Sequence, residues 1–595
     1  MFGKVLIANR GEIAVRIVRA LEELGIASVA VYSELDRDAP HVARADEAYN
    51  LGDGPAADNY LNVEKLLDVA ARCGAEAVHP GYGFLAENAP FAQACEDAGV
   101  VFIGPPASAI EAMGSKTRAR ELMKAAGVPI VPGTTEPVAT VADALRIASE
   151  EIGFPVAVKA AGGGGGKGFR VALSADELPD AFEGSSREGE KFFSDPTVYL
   201  ERYLHDPRHV EVQILADRHG NVIHLGERDC SVQRRHQKLI EEAPAPVVDA
   251  AMRARIGQIG AEAARAVDYV GAGTIEGLFS AQAGAAPEYF FLEMNTRVQV
   301  EHCVTEMVTG VDIVKEGIRA AAGEPLSYAQ EDIELKGHAI ECRINAEDAS
   351  KNFAPAPGKI GTYREPAGPG VRVDSGVAEN GEVSPMYDPM VAKLIVWDAD
   401  REQATSRMLR ALGEYEIEGL KTLIPFHAAL LATEEWAAGS TCRELVEDKA
   451  WLKQLAFDAP PAAGADATAT VEQTYQVEVS GQRFDVRVVG PAPVAGVAVD
   501  GAAAAQPQTR RAERTSSSAG GPDTLPSPLQ GNMWKVLVKQ GDAVEEGQLL
   551  CIIEAMKMEN EIAAHKSGTI VELPIAEGAP IAAGAPIATI RSDGD

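Results

Sequence analysis

The stretch Glu293-Met-Asn-Thr-Arg-Val-Gln-Val-Glu301 alternates acidic, amide and guanidinium side chains with apolar or small ones. At the two-residue period of a β-strand, Glu293, Asn295, Arg297, Gln299 and Glu301 share one face, and Met294, Thr296, Val298 and Val300 the other. A strand ordinarily sends its apolar face to the core, so functional groups of mixed charge line the opposite surface. Regular extension is expected to fail before Glu301, which leaves Glu293, Asn295 and Arg297 at the heart of the reading. Residues 273–278 and 289–294 read as an antiparallel hairpin closed by the small-residue loop 281–287, and that pairing brings Glu276 alongside. Two carboxylates and an amide oxygen are hard ligands suited to Mg²⁺, which keeps waters and borrows phosphate oxygens for its other positions. The plain alternative, a surface strand with solvated charges, does not account for so dense a cluster.

Toward the N-terminus, residues 156–159, 169–172, 198–203 and 209–215 read as strands of a mixed α+β region beginning near residue 115. Between the first two lies Ala160-Ala-Gly-Gly-Gly-Gly-Gly-Lys-Gly-Phe169. Alone, such a run could be a flexible linker. Between two strands, it reads as a loop whose backbone N–H groups can close on a polyphosphate without side-chain obstruction. It is not a P-loop, because no Gly-Lys-Ser/Thr follows and no helix starts there. Earlier still, apolar strands at 4–8, 28–32, 77–78 and 100–103 alternate with helical segments at 12–24, 63–73 and 91–98, the pattern of a parallel α/β sheet. A third region opens with a strand at 338–344 and contains helices at 401–414 and 425–433.

Beyond residue 446 the composition shifts. Residues 456–470 and 491–527 are rich in Ala, Pro, Gly, Ser and Thr, as linkers are. Between them, the alternation in 475–488 around Ser480-Gly481 predicts a hairpin. A flexible linker of ~30 residues spans roughly 30 Å, a reach that suits a module that must travel. In the last segment Gly531, Gly541, Val544, Gly547 and Leu550 recur 37 residues later as Gly568, Gly578, Ile581, Gly584 and Ile587. Two matching halves of an all-β module are thus joined through Glu554-Ala-Met-Lys-Met-Glu-Asn560, which projects Lys557 from a turn roughly midway.

The chain has 595 residues, 46% hydrophobic and 24% charged, which describes an ordinary globular protein of several domains. Its formal net charge of −33 disfavours nucleic-acid or anionic-membrane binding, so an anionic substrate must be held by local cationic clusters. No apolar run reaches membrane-spanning length, and no signal peptide is expected. The seven cysteines are scattered and lack metal-type spacing, which fits reduced thiols and a cytoplasmic location. Cys230 and Cys551 read as packed thiols, and His79 as a structural hydrogen-bonding group.

Taken together, Lys116, Lys159, the glycine loop, Glu201-Arg-Tyr-Leu204, His209-Val-Glu211, Gln233-Arg-Arg-His-Gln-Lys238, Glu276 and the 293–301 stretch resemble the biotin carboxylase branch of the ATP-grasp fold. Ile7-Ala-Asn-Arg-Gly-Glu-Ile13, His79-Pro-Gly-Tyr-Gly-Phe84 and Arg343 do the same. The repeat around Ala555-Met-Lys-Met558 resembles the biotinyl carrier domains of biotin-dependent carboxylases. The resemblance runs in order through nearly all of residues 1–446 and resumes over 525–592.

It implies a biotin carboxylase N-terminal domain at 1–114, an ATP-grasp domain at 115–334, a C-terminal domain at 335–446, a linker region with a small hairpin at 447–524 and a lipoyl-like biotinyl barrel at 525–595. Lys116, Lys159, Gly165, Gly166, Glu201, Leu204, His209, Gln233 and His236 match ATP contacts in the family. Glu276, Glu293 and Asn295 match its Mg²⁺ (or Mn²⁺) site, and Lys238, Arg297, Gln299 and Val300 its bicarbonate pocket. Glu301 resembles the base that deprotonates bicarbonate, Arg343 the residue that stabilises the biotin enolate, and Lys557 the biotinylated lysine. The implied protein is the α subunit of an acyl-CoA carboxylase, working with a carboxyltransferase β subunit, modified by a biotin protein ligase and self-associating through its carboxylase domain. The rival readings are the biotin-carrying subunit of a two-subunit pyruvate carboxylase, a lipoyl-type carrier, and another ATP-grasp ligase. Gly277, where the family commonly has a bulky aromatic, and Cys303, where it has proline, depart from the pattern.

Overall fold

Apolar runs near the N-terminus build a five-stranded parallel sheet in the order Glu47–Gly52, Ala27–Ser33, Lys4–Ile7, Ala77–His79, Val101–Phe102. Helix Gly11–Glu23 packs Ile13, Ile17 and Leu21 against Val5 and Ile7, and Gly25 turns the chain out of it at a φ of 70°. The edge strand Glu47–Gly52 was not expected, since Glu47-Ala-Tyr-Asn-Leu-Gly52 carries only a weak apolar signal and of its residues only Leu51 is buried. The computed structural model describes residues 1–160, 168–193, 195–281, 286–456, 470–479, 482–491, 523–527, 531–555, 558–581 and 584–591. They fall into two units, Met1–Asp458 and Ala459–Asp595.

The centre of the first unit is an eight-stranded antiparallel sheet in the order Glu288–Asn295, Gly271–Ser280, Arg208–Ala216, Val222–Arg234, Gln237–Ala243, His338–Asn345, Met390–Asp398, Val371–Ser375. Alternation sorts its side chains. Ile340, Cys342, Ile344, Leu394 and Val396 enter a core with Met408, Leu412 and Phe426, while Glu341, Arg343 and Lys393 take the opposite face. Each fully buried Leu, Ile, Val, Phe or Met contributes ~1.5–3 kcal/mol, enough to hold that polar face in place. Helix Ala250–Arg265 covers the sheet nearer its other end, with Ile256, Ile259 and Ala263 in one core with Val212 and Ile214. Phe169–Ala172, Val156–Ala160 and Val198–Arg202 form a separate antiparallel sheet; the expected glycine loop, residues 161–167, lies outside the described residues.

In the second unit Thr470–Val479 and Gln482–Pro491 form the expected antiparallel hairpin; its Ser-Gly turn and residues 457–469 and 492–522 lie outside the described residues, and the end of the second expected linker is instead a strand, Thr524–Pro526, paired with Pro586–Arg591. The C-terminal module is two four-stranded sheets, each drawing on both halves of the repeat. The matched glycines keep one conformation: Gly541 and Gly578 have φ of 95° and 79°, and Gly547 and Gly584 have 84° and 79°, left-handed values that glycine adopts without strain. Leu550, Cys551, Ile553, Ile570, Ile587 and Ile590 fill the core between the sheets. Among the described residues no helix is long and apolar enough to cross a membrane.

Candidate active site

Strand register assembles the site. Glu211, Glu276 and Glu293 stand opposite one another on three adjacent strands, and Arg228 stands opposite Glu211 on a fourth. Like charges directly across a strand pair repel, so this row requires buried cations. Arg228, fully buried, donates Nε to Glu211 at 2.5 Å and Nη1 to Gln213 at 2.7 Å and Thr305 at 2.9 Å. Lys238 supplies the second cation. Its Nζ reaches Glu211 and Glu301 at 2.5 Å each, Glu276 at 2.9 Å and the Gln299 amide oxygen at 3.5 Å.

Burial works against the charges of Lys238, Glu276 and Glu301, and the pairing outweighs it. Lys238 is held well above the usual lysine range by Glu211, Glu301 and Glu276 despite burial. Burial likewise opposes the ionised forms of Glu276 and Glu301. Lys238 and His209 keep Glu276, and Lys238 and Arg343 keep Glu301, below the ordinary carboxylate range. Glu301 immediately precedes helix His302–Thr309 and turns its second oxygen to Arg343 Nη2 at 3.0 Å. Arg343 in turn donates Nε to Glu241 at 2.6 Å. A carboxylate fixed between an ammonium and a guanidinium, in a site shielded from solvent, is placed to receive a proton from an anion that engages the same cations.

Arg297 stands to one side, with Nε on Glu87 at 2.9 Å and Nη2 on the Asn295 amide oxygen at 3.0 Å. Glu87 also accepts the Thr296 backbone N–H at 3.1 Å, so one N-terminal side chain fixes both the loop and its guanidinium. Val300 is anchored through its carbonyl, which accepts from the buried Lys393 ammonium at 2.8 Å. Glu276 takes amide hydrogen bonds from Asn295 and Gln299 at 2.8 Å each, and His209 Nε2 lies 3.0 Å from its other oxygen. Glu276 and Glu293, opposite each other in register, offer the hard oxygen donors that Mg²⁺ takes. Asn295 presents its oxygen to Arg297, so it joins such a set only by turning its amide.

Among the residues expected to contact ATP, Glu201 binds Lys159 and, at 2.7 Å, Arg120. Leu204 is buried with Val131, Phe290 and Leu278. Gln233 approaches His209 Nδ1 at 3.5 Å. His236 is exposed in the tight turn before strand Gln237–Ala243, where it and Arg235 have φ of 66° and 48°. Lys116 opens helix Lys116–Ala125, but its side chain lies outside the described residues, as do Gly165, Gly166 and Lys557. Strands Leu549–Ala555 and Met558–Ala563 bracket Lys557, pairing Ala555 with Met558.

Regular alternation ends sooner than expected, because the strand stops at Asn295. Arg297, Gln299 and Glu301 therefore do not share a strand face with Glu293. Gln299 and Glu301 still reach Lys238, through a loop pinned at Glu87 and Lys393. Glu87, Arg228, Glu241 and Lys393 were not singled out from sequence. For Lys393 the available signal was a charged residue inside an otherwise apolar run, Met390-Val-Ala-Lys-Leu-Ile-Val396; Glu87, Arg228 and Glu241 carry no such local signal. Cys230 is buried 4.0 Å from Glu301 Oε1 and burial pushes its thiol far up, so it is a packed neighbour of the site and no nucleophile. His79 accepts the Gly81 N–H at 3.0 Å, and burial lowers it to about 3, so it is a neutral structural group. Gly277 has a steric reason: a Cβ there would lie 2.2 Å from the Tyr289 ring, which fills the space from the neighbouring strand. Cys303 is buried between Lys393 Nζ at 3.2 Å and Asp374 at 3.3 Å.

Four family models match the chain. Residues 1–110 match the biotin carboxylase N-terminal domain, 115–329 the carbamoyl-phosphate synthase L chain ATP binding domain, 341–448 the biotin carboxylase C-terminal domain, and 523–590 the biotin-requiring enzyme domain. The chain is 44% identical to the biotin-dependent acyl-coenzyme A carboxylase alpha3 subunit of Mycobacterium leprae over 99% of its own length and 98% of that protein. It is 53% identical to a pyruvate carboxylase subunit of Methanothermobacter thermautotrophicus over 75% of its own length and 90% of that protein. Among solved structures, the biotin carboxylase domain dimer of Hydrogenobacter thermophilus 2-oxoglutarate carboxylase, in complex with MgADP, ADP and bicarbonate, is similar with a TM-score of 0.67 and 50% identity, covering 74% of this chain and 97% of that one. The chain thus belongs to the biotin-dependent carboxylases, as an ATP-grasp biotin carboxylase joined to a biotinyl carrier domain.

Proposed function

We propose that the chain carboxylates biotin carried on its own Lys557 and is the α subunit of an acyl-CoA carboxylase whose carboxyltransferase is a separate β subunit. The acyl-CoA assignment rests on one observation: the likeness to the Mycobacterium leprae protein extends through the hairpin region and the carrier, whereas that to the pyruvate carboxylase subunit covers 75% of the chain.

In this reading Lys116, Lys159, the loop with Gly165 and Gly166, Glu201, Leu204, His209, Gln233 and His236 hold ATP. Glu276 and Glu293, with Asn295, hold Mg²⁺, whose charge offsets that of the phosphates during phosphoryl transfer. Bicarbonate falls to Lys238, Arg297, Gln299 and the Val300 N–H. An anion on Lys238 competes with the carboxylates for its N–H donors, which weakens the hold on Glu301 and raises its basicity toward the bicarbonate proton. Biotin supplies the ureido nitrogen that accepts the carboxyl group. Arg343, fixed by Glu241 and Glu301, offsets negative charge developing there.

The test has three parts. Purified chain is assayed for bicarbonate-dependent ATP cleavage stimulated by free biotin, and the native complex is captured and its acceptor identified. A crotonase-like partner and acyl-CoA carboxylation are expected; a TIM-barrel partner with pyruvate carboxylation overturns the acceptor. Mass spectrometry of the carrier after exposure to biotin protein ligase should find biotin on Lys557, and a lipoyl adduct or bare lysine would sink the carrier assignment.

A further inference from the structure

Behind Arg343 lie two buried acids, of which Glu241 holds the guanidinium and Glu341 has no part in the proposed reaction. Glu241, on strand Gln237–Ala243, stands directly opposite Glu341, on strand His338–Asn345, and both side chains are fully buried. Glu241 spends one oxygen on Arg343; its other oxygen and both oxygens of Glu341 are buried without any hydrogen-bond partner. Carboxyls opposed across a strand pair lie about 5 Å apart at Cβ, and in a dry site two such neighbours do not both ionise. The charges facing them come from every side: Arg343 on the same strand as Glu341, Lys393 from Met390–Asp398, Lys238 from the strand of Glu241, and Glu301 beside helix His302–Thr309. Lys393 is itself divided among Glu12 at 3.3 Å, Asp374 at 3.8 Å and the Val300 carbonyl, so it neutralises Glu341 only in part.

We propose that Glu241 and Glu341 form a positioning pair for Arg343, in which Glu341 keeps a proton and the ionisation of Glu241 sets how firmly Arg343 is held beside Glu301. Burial is the main influence raising both acids. Arg343 is the chief charge opposing it at Glu241, which comes to about 7, and Lys393 the chief one at Glu341, which stays well above the ordinary carboxylate range. Above the inflection Glu241 is ionised and clamps the guanidinium. Below it, Arg343 leans on Glu301 alone, and its alignment with the charge that develops on the acceptor is lost.

This rests on the proposed carboxylation of biotin, and the experiment separates the two. The full chain, with Glu241→Gln and Glu341→Gln variants, is assayed for kcat of biotin carboxylation and for biotin-independent ATP cleavage between pH 6 and 8.5. A wild type that does not carboxylate biotin refutes the function itself. With an active wild type, kcat is expected to rise with pH through an inflection near 7. Glu241→Gln should remove the inflection and lower the ratio of biotin carboxylation to ATP cleavage at pH 8 about tenfold, as a hydrogen bond to a carboxylate becomes one to a neutral amide oxygen. Glu341→Gln replaces a neutral acid by a neutral amide, so the inflection should stay within about half a pH unit of the wild-type position. An inflection retained in Glu241→Gln, or one displaced by a full unit in Glu341→Gln, overturns the proposal. If Glu241→Gln does not fold, Glu241→Asp serves: it keeps the charge but draws it back from Arg343, so the inflection should persist while the ratio falls, and an unchanged ratio counts against the pair.

Discussion

Replacing Lys238 by Met removes one ammonium from a site that holds three carboxylates within 2.9 Å of it. The stem length is conserved, so the loss is electrostatic. Deleting one partner of a buried ion pair costs ~3–5 kcal/mol. Here the lower end applies, because Glu211 keeps Arg228, Glu301 keeps Arg343, and Glu276 keeps His209 and two amide donors. We expect a loss of about 3 kcal/mol at pH 8. The sign with pH follows from the wild-type shifts: Glu276 and Glu301 have folded values below their unfolded ones, so they add stability above the unfolded value that is lost only as pH falls through the lower, folded one. Without Lys238, burial dominates at Glu276 and drives its value upward; it takes a proton as pH falls, and the penalty fades while the wild type is still fully paired. The gap should therefore narrow to about 1 kcal/mol by pH 5. Urea titrations at both pH values, followed by tryptophan fluorescence to which Trp397, Trp436 and Trp451 of the first unit contribute, measure it. A gap that is equal at the two pH values, or under about 1 kcal/mol at pH 8, refutes the reasoning.

Glu301→Gln should abolish biotin carboxylation while nucleotide titrations still show binding; loss of ATP affinity would argue against its role as the base. Glu87→Ala frees Arg297 and the Thr296 N–H together, and the expected outcome is a bicarbonate KM raised about tenfold against an ATP KM changed by less than about twofold. An equal change in both would place Glu87 in general support of the fold. Gly277→Leu forces a side chain into the Tyr289 ring and should destabilise the first unit by ~1–3 kcal/mol in thermal melts, a cost that Gly277→Leu combined with Tyr289→Ala should partly recover.

Much of the architecture was legible because long elements carry strong periodicity. Helix Arg401–Glu414 is one example, and the hairpin that sets Glu276 opposite Glu293 is another. The glycine repeat was legible for a different reason: left-handed turns demand one residue type, so the spacing survives as a pattern. What sequence did not disclose depends on register and on contacts between distant segments. Nothing local to Glu341 says that it meets Glu241, 100 positions away, and nothing local to Glu87 says that it holds Arg297. The alternation after Asn295 was misleading because the chain leaves the strand there, and its remaining polar groups regain the site only through tertiary anchors.

The eight-stranded sheet has one more consequence, for anyone who cuts the gene. Strand His338–Asn345 is hydrogen-bonded to Gln237–Ala243 on one side and to Met390–Asp398 on the other. A fragment boundary near residue 335, where family models change from one domain to the next, would expose two long complementary sheet edges rather than a natural surface. Separately expressed halves are expected to aggregate alone and to find each other when mixed, so excision is better placed beyond residue 456.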